Sequence, residues 1–390
     1  MEVFDVIIIG AGASGLMAAI HAAKRGRKLL VIDHADQAGR KLLVSGGGKC
    51  NITNRLVTVA DYYGTDTSFC KHAIKSFPSG SVIQLLESAK IETEERALGR
   101  IFCKKGAHEI VSYLVDTAKE WGVRFLFNSK VLEVTGSSGN FCVKGKETTF
   151  ETSHLLLATG GLACPQIGAT NYGYVIAEQF GHTVVPMKPV LAGFVLSQNS
   201  HLLNLQGISL HVKIQIKGKD KIIEEPLLFT HQGLSGPGIL QVSCFWEKGD
   251  VVLINFLSSD DLISQMHKPE NGRLLVKNLV MQFLPERLVK ALISEPLSIR
   301  KVAELSKSDR IIIAKCVHQC VVVPETVEGY AKAEATLGGV STHAINPKSM
   351  ESMLVKGLFF AGEVIDITGR LGGYNIHWAF ASGFIAGQNL

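Results

Sequence analysis

Three glycines and one carboxylate near the N-terminus have the spacing of a dinucleotide site. Gly10, Gly12 and Gly15 form a Gly-x-Gly-x-x-Gly motif between an apolar run and a helical pattern, and Asp33 follows Gly15 by 18 residues. Such glycines allow a tight turn and a close approach to a pyrophosphate, and the N-terminus of the helix offers free N–H groups. A carboxylate near this spacing accepts hydrogen bonds from an adenosine ribose. The sequence therefore predicts a dinucleotide site that disfavours a ribose 2′-phosphate.

A second glycine-rich cluster follows at residues 39–51. Gly46, Gly47 and Gly48 stand between the cations Arg40, Lys41 and Lys49. Backbone N–H groups of such a loop can surround an anion while the cations neutralise it. The cluster is not a P-loop, because Lys49 is followed by a cysteine rather than by Ser or Thr.

The elements that must position these residues form a βαβ unit. The β-branched run at residues 4–9 predicts a strand, the apolar spacing from Ser14 a helix, and residues 28–33 a second buried strand. We expect a helix at 107–121, a strand at 123–134, a small meander at 141–150 and a buried strand at 154–158. Together these segments predict a parallel sheet with right-handed crossovers.

The middle of the chain has a different pattern. Period-two segments between residues 191 and 257 predict antiparallel strands, and mixed i, i+3 and i+4 apolar spacing in 260–320 predicts helices. A buried strand at 358–361 and an apolar helix around 378–386 return to the α/β pattern. We therefore expect an insertion within a domain that is built from both chain ends.

Composition limits the function classes. The 390 residues are 46% hydrophobic and carry a net charge of +5, which favours a folded protein of more than one domain and gives little support for a dedicated nucleic-acid binder. The eight cysteines form no CxxC pair, and no basic leader precedes the first apolar run, so we expect a cytoplasmic protein with reduced thiols and no membrane partner. We predict no metal site, because Cys316 and Cys320 at helical i, i+4 spacing have no second pair of ligands nearby.

Several further motifs, in order along the chain, resemble one family. It is the YhiN-like, aminoacetone-oxidase-like family of bacterial FAD-binding oxidoreductases, which includes BaiN-type flavoproteins. The motifs beyond the first glycine fingerprint are residues 45–54, 157–161, 228–237, 337–340, 361–366 and 372–375.

This resemblance implies an α/β fold: a Rossmann-like FAD-binding domain of the two-dinucleotide type with an inserted β-barrel domain and a small helical subdomain. The expected boundaries are 1–190 with 335–390 for the FAD domain, 191–257 with 321–334 for the barrel, and 258–320 for the helical subdomain.

The resemblance also assigns cofactor contacts to individual residues. The glycine fingerprint would hold the pyrophosphate, Asp33 the ribose, Arg40 and Lys41 the adenine side, and Glu363 a ribityl hydroxyl. The full set expected to bind FAD is Gly10, Gly12, Ala13, Ser14, Gly15, Asp33, His34, Arg40, Lys41, Ser45, Gly46, Gly47, Gly48, Lys49, Cys50, Asn51, Val131, Thr159, Gly160, Gly161, Gly362, Glu363, Asp366, Gly373, Tyr374 and Asn375.

Three residues are candidates for proton transfer. His231 lies in a motif that the resemblance places beside the flavin, and Tyr374 and His377 follow the last glycine pair. Each of the three also fits a structural role.

The expected function is hydride transfer between bound FAD and a small organic substrate, either an amine or a conjugated double bond. No second glycine fingerprint occurs between residues 160 and 335, so a nicotinamide nucleotide would visit only transiently, and oxygen is another acceptor. Two alternatives stay open: a flavin-dependent modifier of tRNA or another nucleic acid, which we regard as the less favoured partner, and a non-catalytic flavin-binding protein. The oligomeric state is not predicted.

Overall fold

The computed structural model describes residues 2–390. The strands are β1 Glu2–Ile9, β2 Leu29–Ile32, β3 Asn51–Asn54, β4 Tyr62–Tyr63, β5 Thr93–Arg96, β6 Arg100–Cys103, β7 Arg124–Leu126, β8 Glu133–Ser137, β9 Asn140–Lys144, β10 Thr149–Leu157, β11 Val184–Val190, β12 Phe194–Val195, β13 Ser209–Ile216, β14 Ile222–Phe229, β15 Gly233–Ser235, β16 Val252–Asn255, β17 Cys320–Val322, β18 Thr326–Val327, β19 Ala335–Val340, β20 Leu358–Phe360 and β21 Thr368–Gly369. The α-helices are α1 Ala13–Ala23, α2 Arg40–Val44, α3 Lys71–Ser76, α4 Ser79–Ser88, α5 Ala107–Glu120, α6 Tyr172–Gln179, α7 Pro237–Ser243, α8 Leu262–His267, α9 Val276–Val280, α10 Glu286–Leu292, α11 Glu295–Ser298, α12 Lys307–His318 and α13 Tyr374–Asn389.

The chain divides into two compact units. The discontinuous unit comprises the residues up to Pro189 together with Glu334–Leu390, and the inserted unit comprises Val190–Ala333. Each unit has its own buried apolar cluster. Among residues 2–390, no helix has the length and apolar character needed to cross a bilayer.

A mixed sheet forms the centre of the discontinuous unit. Its order is β7-β2-β1-β10-β9-β8, and β20 also pairs with β10. The pairs among β7, β2, β1, β10 and β20 are parallel, whereas β8 and β9 add an antiparallel edge. Ile7, Ile8 and Ile9 of β1 are buried on both faces, as expected for a parallel strand covered by helices. This is the predicted Rossmann-like α/β fold.

Both chain ends meet in this unit. Helices α1 and α13 pack closely, because Gly383 of α13 has no side chain to separate the two backbones. A Cβ at that position would lie 2.4 Å from the carbonyl oxygen of Ser14. The Oγ of Ser14 in turn donates to the carbonyl oxygen of Ala361, at 3.3 Å, just after β20. The N-terminal crossover is thereby joined directly to the C-terminal strand and helix.

The inserted unit is built on an antiparallel sheet with the order β17-β16-β13-β14-β15-β12-β18. Alternate residues of β13, including Val212, Ile214 and Ile216, are buried, as the period-two pattern predicts. Helices α8 to α12 follow β16 in the chain.

Two sequence predictions about local structure were wrong. The strand expected at 123–134 ends at Leu126, because the chain leaves the sheet there and Asn128 adopts a left-handed conformation. Helix α12 ends at His318, so Cys320 belongs to β17 and shares no helix face with Cys316.

Candidate functional site

The turn between β1 and α1 is the starting point of the site. Gly10 has φ +110°, and a Cβ there would lie 2.3 Å from the carbonyl oxygen of Ala158. Gly12 differs, because its φ of −78° is ordinary and a Cβ would meet no protein atom within 4 Å. The fold itself therefore requires glycine at position 10, whereas position 12 leaves open space in front of the backbone. Open space next to a helix N-terminus suits a diphosphate.

A cavity of about 350 Å³ adjoins this turn. Its walls come from the carboxyl ends of β1, β2 and β10 and from the segment after β7, where a ligand binds in a parallel α/β sheet. The lining residues are Ile9, Gly10, Ile32, Asp33, His34, Ser129, Lys130, Val131, Thr159, Thr170, Asn171 and Tyr172. Five of them were predicted from the sequence: Gly10, Asp33, His34, Val131 and Thr159.

The polar groups of this cavity are arranged for a ligand. The two carboxylate oxygens of Asp33 accept from the N–H of Ala11 at 2.7 Å and of Ala35 at 2.8 Å, which fixes the side chain and leaves lone pairs for other donors. The Oγ1 of Thr159 is buried and has no hydrogen-bond partner in the structure. Because an unsatisfied buried hydroxyl is costly, it points to a polar ligand group at this place.

An ion pair connects the glycine-rich N-terminal region to the C-terminal motif. The ammonium group of Lys41 contacts the carboxylate of Glu363, and the other oxygen of Glu363 accepts from the N–H of Thr336 at 2.8 Å. The resemblance assigns Lys41 to the adenine side and Glu363 to a ribityl hydroxyl, and the structure pairs these two side chains with each other; both cofactor roles stay predictions. Arg40 instead pairs with Asp36 at 2.8 Å.

Thr336 is a site residue that sequence reasoning missed. It is fully buried, and its Oγ1 accepts from the N–H groups of Leu162 at 2.8 Å and Ala163 at 3.1 Å. It thereby joins the segment after β10 to Glu363. The only signal for it was its place directly before the Leu337–Val340 motif.

The loop at residues 45–51 has backbone angles that favour glycine. Gly46, Gly47 and Gly48 all have positive φ, and so does the non-glycine Cys50. Strand pairing of Asn51 with Phe102 places Cys50 next to Cys103, and the N–H of Cys103 donates to the carbonyl oxygen of Lys49 at 2.9 Å. Hydrogen bonding to Cys103 and burial raise the pKa of Cys50, which therefore stays a thiol. Sequence spacing gave no sign of this cysteine pair.

Asn51 ties the same loop to the N-terminus of α13. With its amide oriented to satisfy both neighbours, the side-chain oxygen accepts from the N–H of Gly373 at 3.1 Å. Asn375, also a predicted cofactor residue, bonds the backbone of Gly369 in both directions, at 2.8 Å each. Both asparagines shape the backbone around the start of α13.

Of the three candidates for proton transfer, Tyr374 is buried, with 1% of its surface exposed, and is hydrogen-bonded to a charged side chain. Its hydroxyl oxygen accepts from Nη2 of Arg370 at 2.7 Å, and Nε of Arg370 pairs with Asp61 at 2.8 Å. Burial raises the pKa of Tyr374, so its hydroxyl is protonated at neutral pH. A phenol that accepts from a guanidinium keeps its own proton for another acceptor.

The other two candidates lie in contrasting surroundings. His377 is fully buried, its Nδ1 is 2.9 Å from Oγ1 of Thr53, and burial lowers its pKa to about 4. Such a neutral, enclosed imidazole fits a structural role. His231 lies in the inserted unit, in an exposed bend between β14 and β15. Catalytic roles for both stay predictions.

Asp366 is a further polar residue of the predicted set. It is 1% exposed, and its carboxylate accepts from the N–H of Thr65 at 2.9 Å. This contact anchors the segment between β4 and α3 to the C-terminal motif.

Comparison with known proteins defines the class. The sequence matches the HI0933-like protein Rossmann domain family over residues 4–389, so the chain belongs to that family. It is an FAD-dependent oxidoreductase. The open space at Gly12, the anchored Asp33 and the unpaired Thr159 hydroxyl fit FAD.

Individual relatives refine this picture. The chain is 39% identical to the ribosomal RNA dihydrouridine synthase of Escherichia coli (strain K12), across 100% of this chain and 98% of that protein. It is 27% identical to the 3-dehydro-bile acid delta(4,6)-reductase of Clostridium scindens, across 98% and 97% of the two chains. Among solved structures, the chain is similar to a quinol-fumarate reductase with menaquinol molecules, with a TM-score of 0.50 and 17% identity. The matched region spans 99% of this chain and 70% of the reductase chain. That last likeness concerns the fold alone.

Proposed function

We propose that this enzyme reduces a carbon–carbon double bond conjugated to a carbonyl group, and that its substrate is a uridine of ribosomal RNA. The observation that carries the proposal is the 39% identity, over the full length of both chains, with a ribosomal RNA dihydrouridine synthase. The more distant relative supports the reaction type, since its name describes reduction of double bonds in a 3-oxo bile acid. The C5=C6 bond of uracil is likewise conjugated to a carbonyl.

This reaction unites two of the functions that the sequence left open. Reduction of a conjugated double bond and modification of a nucleic acid are a single activity when the double bond belongs to uracil. The partner regarded as less favoured on net charge alone thus becomes the proposed substrate.

The reduction adds a hydride to one carbon of the double bond and a proton to the other. Bound FAD supplies the hydride chemistry, and a nicotinamide nucleotide is the external two-electron donor. The chain would hold the cofactor through the β1–α1 turn, Asp33, Thr159 and Glu363. We assign the proton to Tyr374, whose hydroxyl is oriented by Arg370 and is protonated at neutral pH.

The direct test uses the purified holoenzyme with NADH or NADPH and ribosomal RNA that lacks dihydrouridine. Nuclease digestion and mass spectrometry should show a uridine that has gained two hydrogens. Reduction of small conjugated enones in the same assay, with unchanged RNA, would contradict the proposed substrate but not the reaction type.

The role of Tyr374 has its own test. Tyr374→Phe should lower turnover by about 10²-fold or more, the usual contribution of a positioned acid, while FAD stays bound. Tyr113→Phe, on the half-buried face of α5, is the matched control. Equal turnover in the two variants would remove Tyr374 from the mechanism.

A further inference from the structure

The helical part of the inserted unit carries much of the chain's positive charge. Residues 258–320 contain ten Lys and Arg against seven Asp and Glu, a net +3 of the chain's +5. This excess lies in about a sixth of the sequence. The role of these helices is not explained by FAD binding, because the residues assigned to FAD all lie in the discontinuous unit.

Ion pairs neutralise part of the surface cations in both units, including Lys290 with Glu286 in the helical segment. In the discontinuous unit many are neutralised, as in the pair of Arg96 with Glu94. Six cations of the helical segment are exposed and have no carboxylate within ion-pair distance in residues 2–390, and four of these six form the set discussed below. We call these four the basic surface: Lys268, Arg273, Lys301 and Lys307.

Backbone pairing and the side chain of Arg310 bring three of these cations into one region. Leu275 forms an antiparallel bridge with Lys301, and the N–H of Ala303 donates to the carbonyl oxygen of Gly272 at 3.0 Å. Arg273 therefore lies on one strand-like segment and Lys301 on its partner. Arg310 of α12 donates to the carbonyl oxygens of Met266 and Val302, which ties the end of α8, and so Lys268, to the same place.

The nearby carboxylates are largely used within the fold. Asp309 accepts from the N–H and hydroxyl of Ser306 at the start of α12 and from Arg300 at 2.9 Å. Asp261 accepts from the N–H of Ile263 at the start of α8, at 3.0 Å. Glu304 accepts from the N–H of Lys301 at 3.4 Å, and Glu270 is exposed. None of these carboxylates lies within ion-pair distance of the four cations, which therefore face solvent.

We propose that the basic surface binds the phosphate backbone of the RNA substrate, an inference that rests on the proposed function. Exposed, flexible cations attract a polyanion without reading its sequence. A small anion would require enclosed, directed donors, which the four exposed side chains do not provide. The helical insertion therefore supplies RNA affinity, and the discontinuous unit supplies the chemistry.

The test compares two variants of the holoenzyme. The first carries Lys268→Glu, Arg273→Glu and Lys301→Glu. The control carries Lys71→Glu, Lys119→Glu and Lys146→Glu, three exposed lysines of the discontinuous unit with the same change in net charge. Binding to a ribosomal RNA fragment is measured at several KCl concentrations. The logarithm of the binding constant falls linearly with the logarithm of the KCl concentration, and each phosphate that a cation neutralises on a single strand contributes about 0.7 to this slope. The slope of the first variant should therefore be shallower by about 2. Its affinity should fall at least tenfold.

FAD content and the thermal midpoint should match the wild type in both variants. If the reversed charges disturb folding, a neutral variant replaces the first one and carries Lys268→Gln, Arg273→Gln and Lys301→Gln. Its affinity for RNA should also fall, but by less than in the charge-reversed variant. Equal weakening by the control variant would overturn the proposal, because net charge alone would then explain binding.

The two proposals can fail separately. Wild-type enzyme that forms dihydrouridine while the first variant binds RNA normally would refute the basic surface and leave the function intact. Surface-dependent RNA binding without any dihydrouridine would refute the function and leave the surface intact.

Discussion

The candidate FAD site in the discontinuous unit and the basic surface in the inserted unit carry their charged groups in different ways. The discontinuous unit uses backbone N–H groups at a glycine turn and a few charged side chains that are locked by partners, such as Asp33 and the Lys41–Glu363 pair. The basic surface consists of exposed cations, and two of the neighbouring carboxylates, Asp261 and Asp309, serve as helix caps. Preorganised groups suit one ligand of fixed shape, whereas exposed charges suit a long polyanion and are screened by salt.

This difference predicts that FAD retention is largely insensitive to salt and RNA binding strongly sensitive. The following variants separate the two units further.

The largest effect is expected at Gly10. Gly10→Ala combines a positive φ with a Cβ 2.3 Å from a carbonyl oxygen, so it should destabilise the discontinuous unit by about 3 kcal/mol or more and abolish FAD binding. Gly12→Ala should leave the fold intact, because nothing lies within 4 Å of its Cβ, yet it should lose FAD. Flavin absorbance and the thermal midpoint separate the two cases. Full flavin content in Gly12→Ala would contradict the cofactor position.

Acid should destabilise the discontinuous unit through its buried histidines. His377 has a pKa lowered from 6.5 to about 4, so the unfolded chain binds more protons than the folded chain between these values. The free energy of unfolding should therefore fall as pH falls from 6.5 to 4, by up to about 3 kcal/mol for this residue. His21, whose pKa is also lowered to about 4, adds to the slope.

Denaturant titrations from pH 7 to pH 4.5 provide the measurement. The slope of the unfolding free energy against pH reports how many more protons the unfolded chain binds than the folded chain. In His377→Gln this number should be smaller than in the wild type, by one proton at most. A slope equal to that of the wild type would show that His377 is not the titrating group.

A smaller effect is expected at the ion pair of Lys41 and Glu363, whose side chains are 41% and 14% exposed. Glu363→Gln should weaken FAD binding by about 1 kcal/mol, roughly fivefold, because partly exposed pairs contribute little after screening. Equilibrium titration of apoprotein with FAD measures the change, and Glu92→Gln, which removes the exposed partner of Lys105, is the control. An equal loss of affinity in the two variants would contradict the assigned role of Glu363.

The smallest effect is expected in the inserted unit. Lys219 donates to the carbonyl oxygen of Phe245 and to Asp250, both at 2.7 Å, in a partly exposed position. Lys219→Met should lower stability by about 0.5 kcal/mol and leave flavin content unchanged. Loss of FAD in this variant, measured by absorbance, would show that the two units are not independent.

The sequence predicted the parts of the site that depend on local backbone geometry. Short-range periodicity and turn residues predict the turn at Gly10–Gly15 and the position of Asp33 at the end of β2. They also predict the return of the chain to the α/β domain at β20 and α13. The FAD domain was predictable for that reason, and the family resemblance added Glu363 and Thr159.

Long-range pairings were not predictable in the same way. Tertiary packing decides that Lys41 pairs with Glu363 and that Cys50 lies next to Cys103. It also decides that the chain leaves the sheet after Leu126 and lines the cavity. Thr336 has no motif of its own. The unpaired state of the basic surface likewise depends on which carboxylates the fold uses as caps.

A single-turnover experiment tests the central claim most directly. Holoenzyme reduced under anaerobic conditions is mixed with excess ribosomal RNA that lacks dihydrouridine, and both flavin oxidation and dihydrouridine are quantified. We predict one dihydrouridine for each flavin oxidised. Flavin that stays reduced in the presence of this RNA, or that is oxidised without a matching dihydrouridine, would contradict the proposed function.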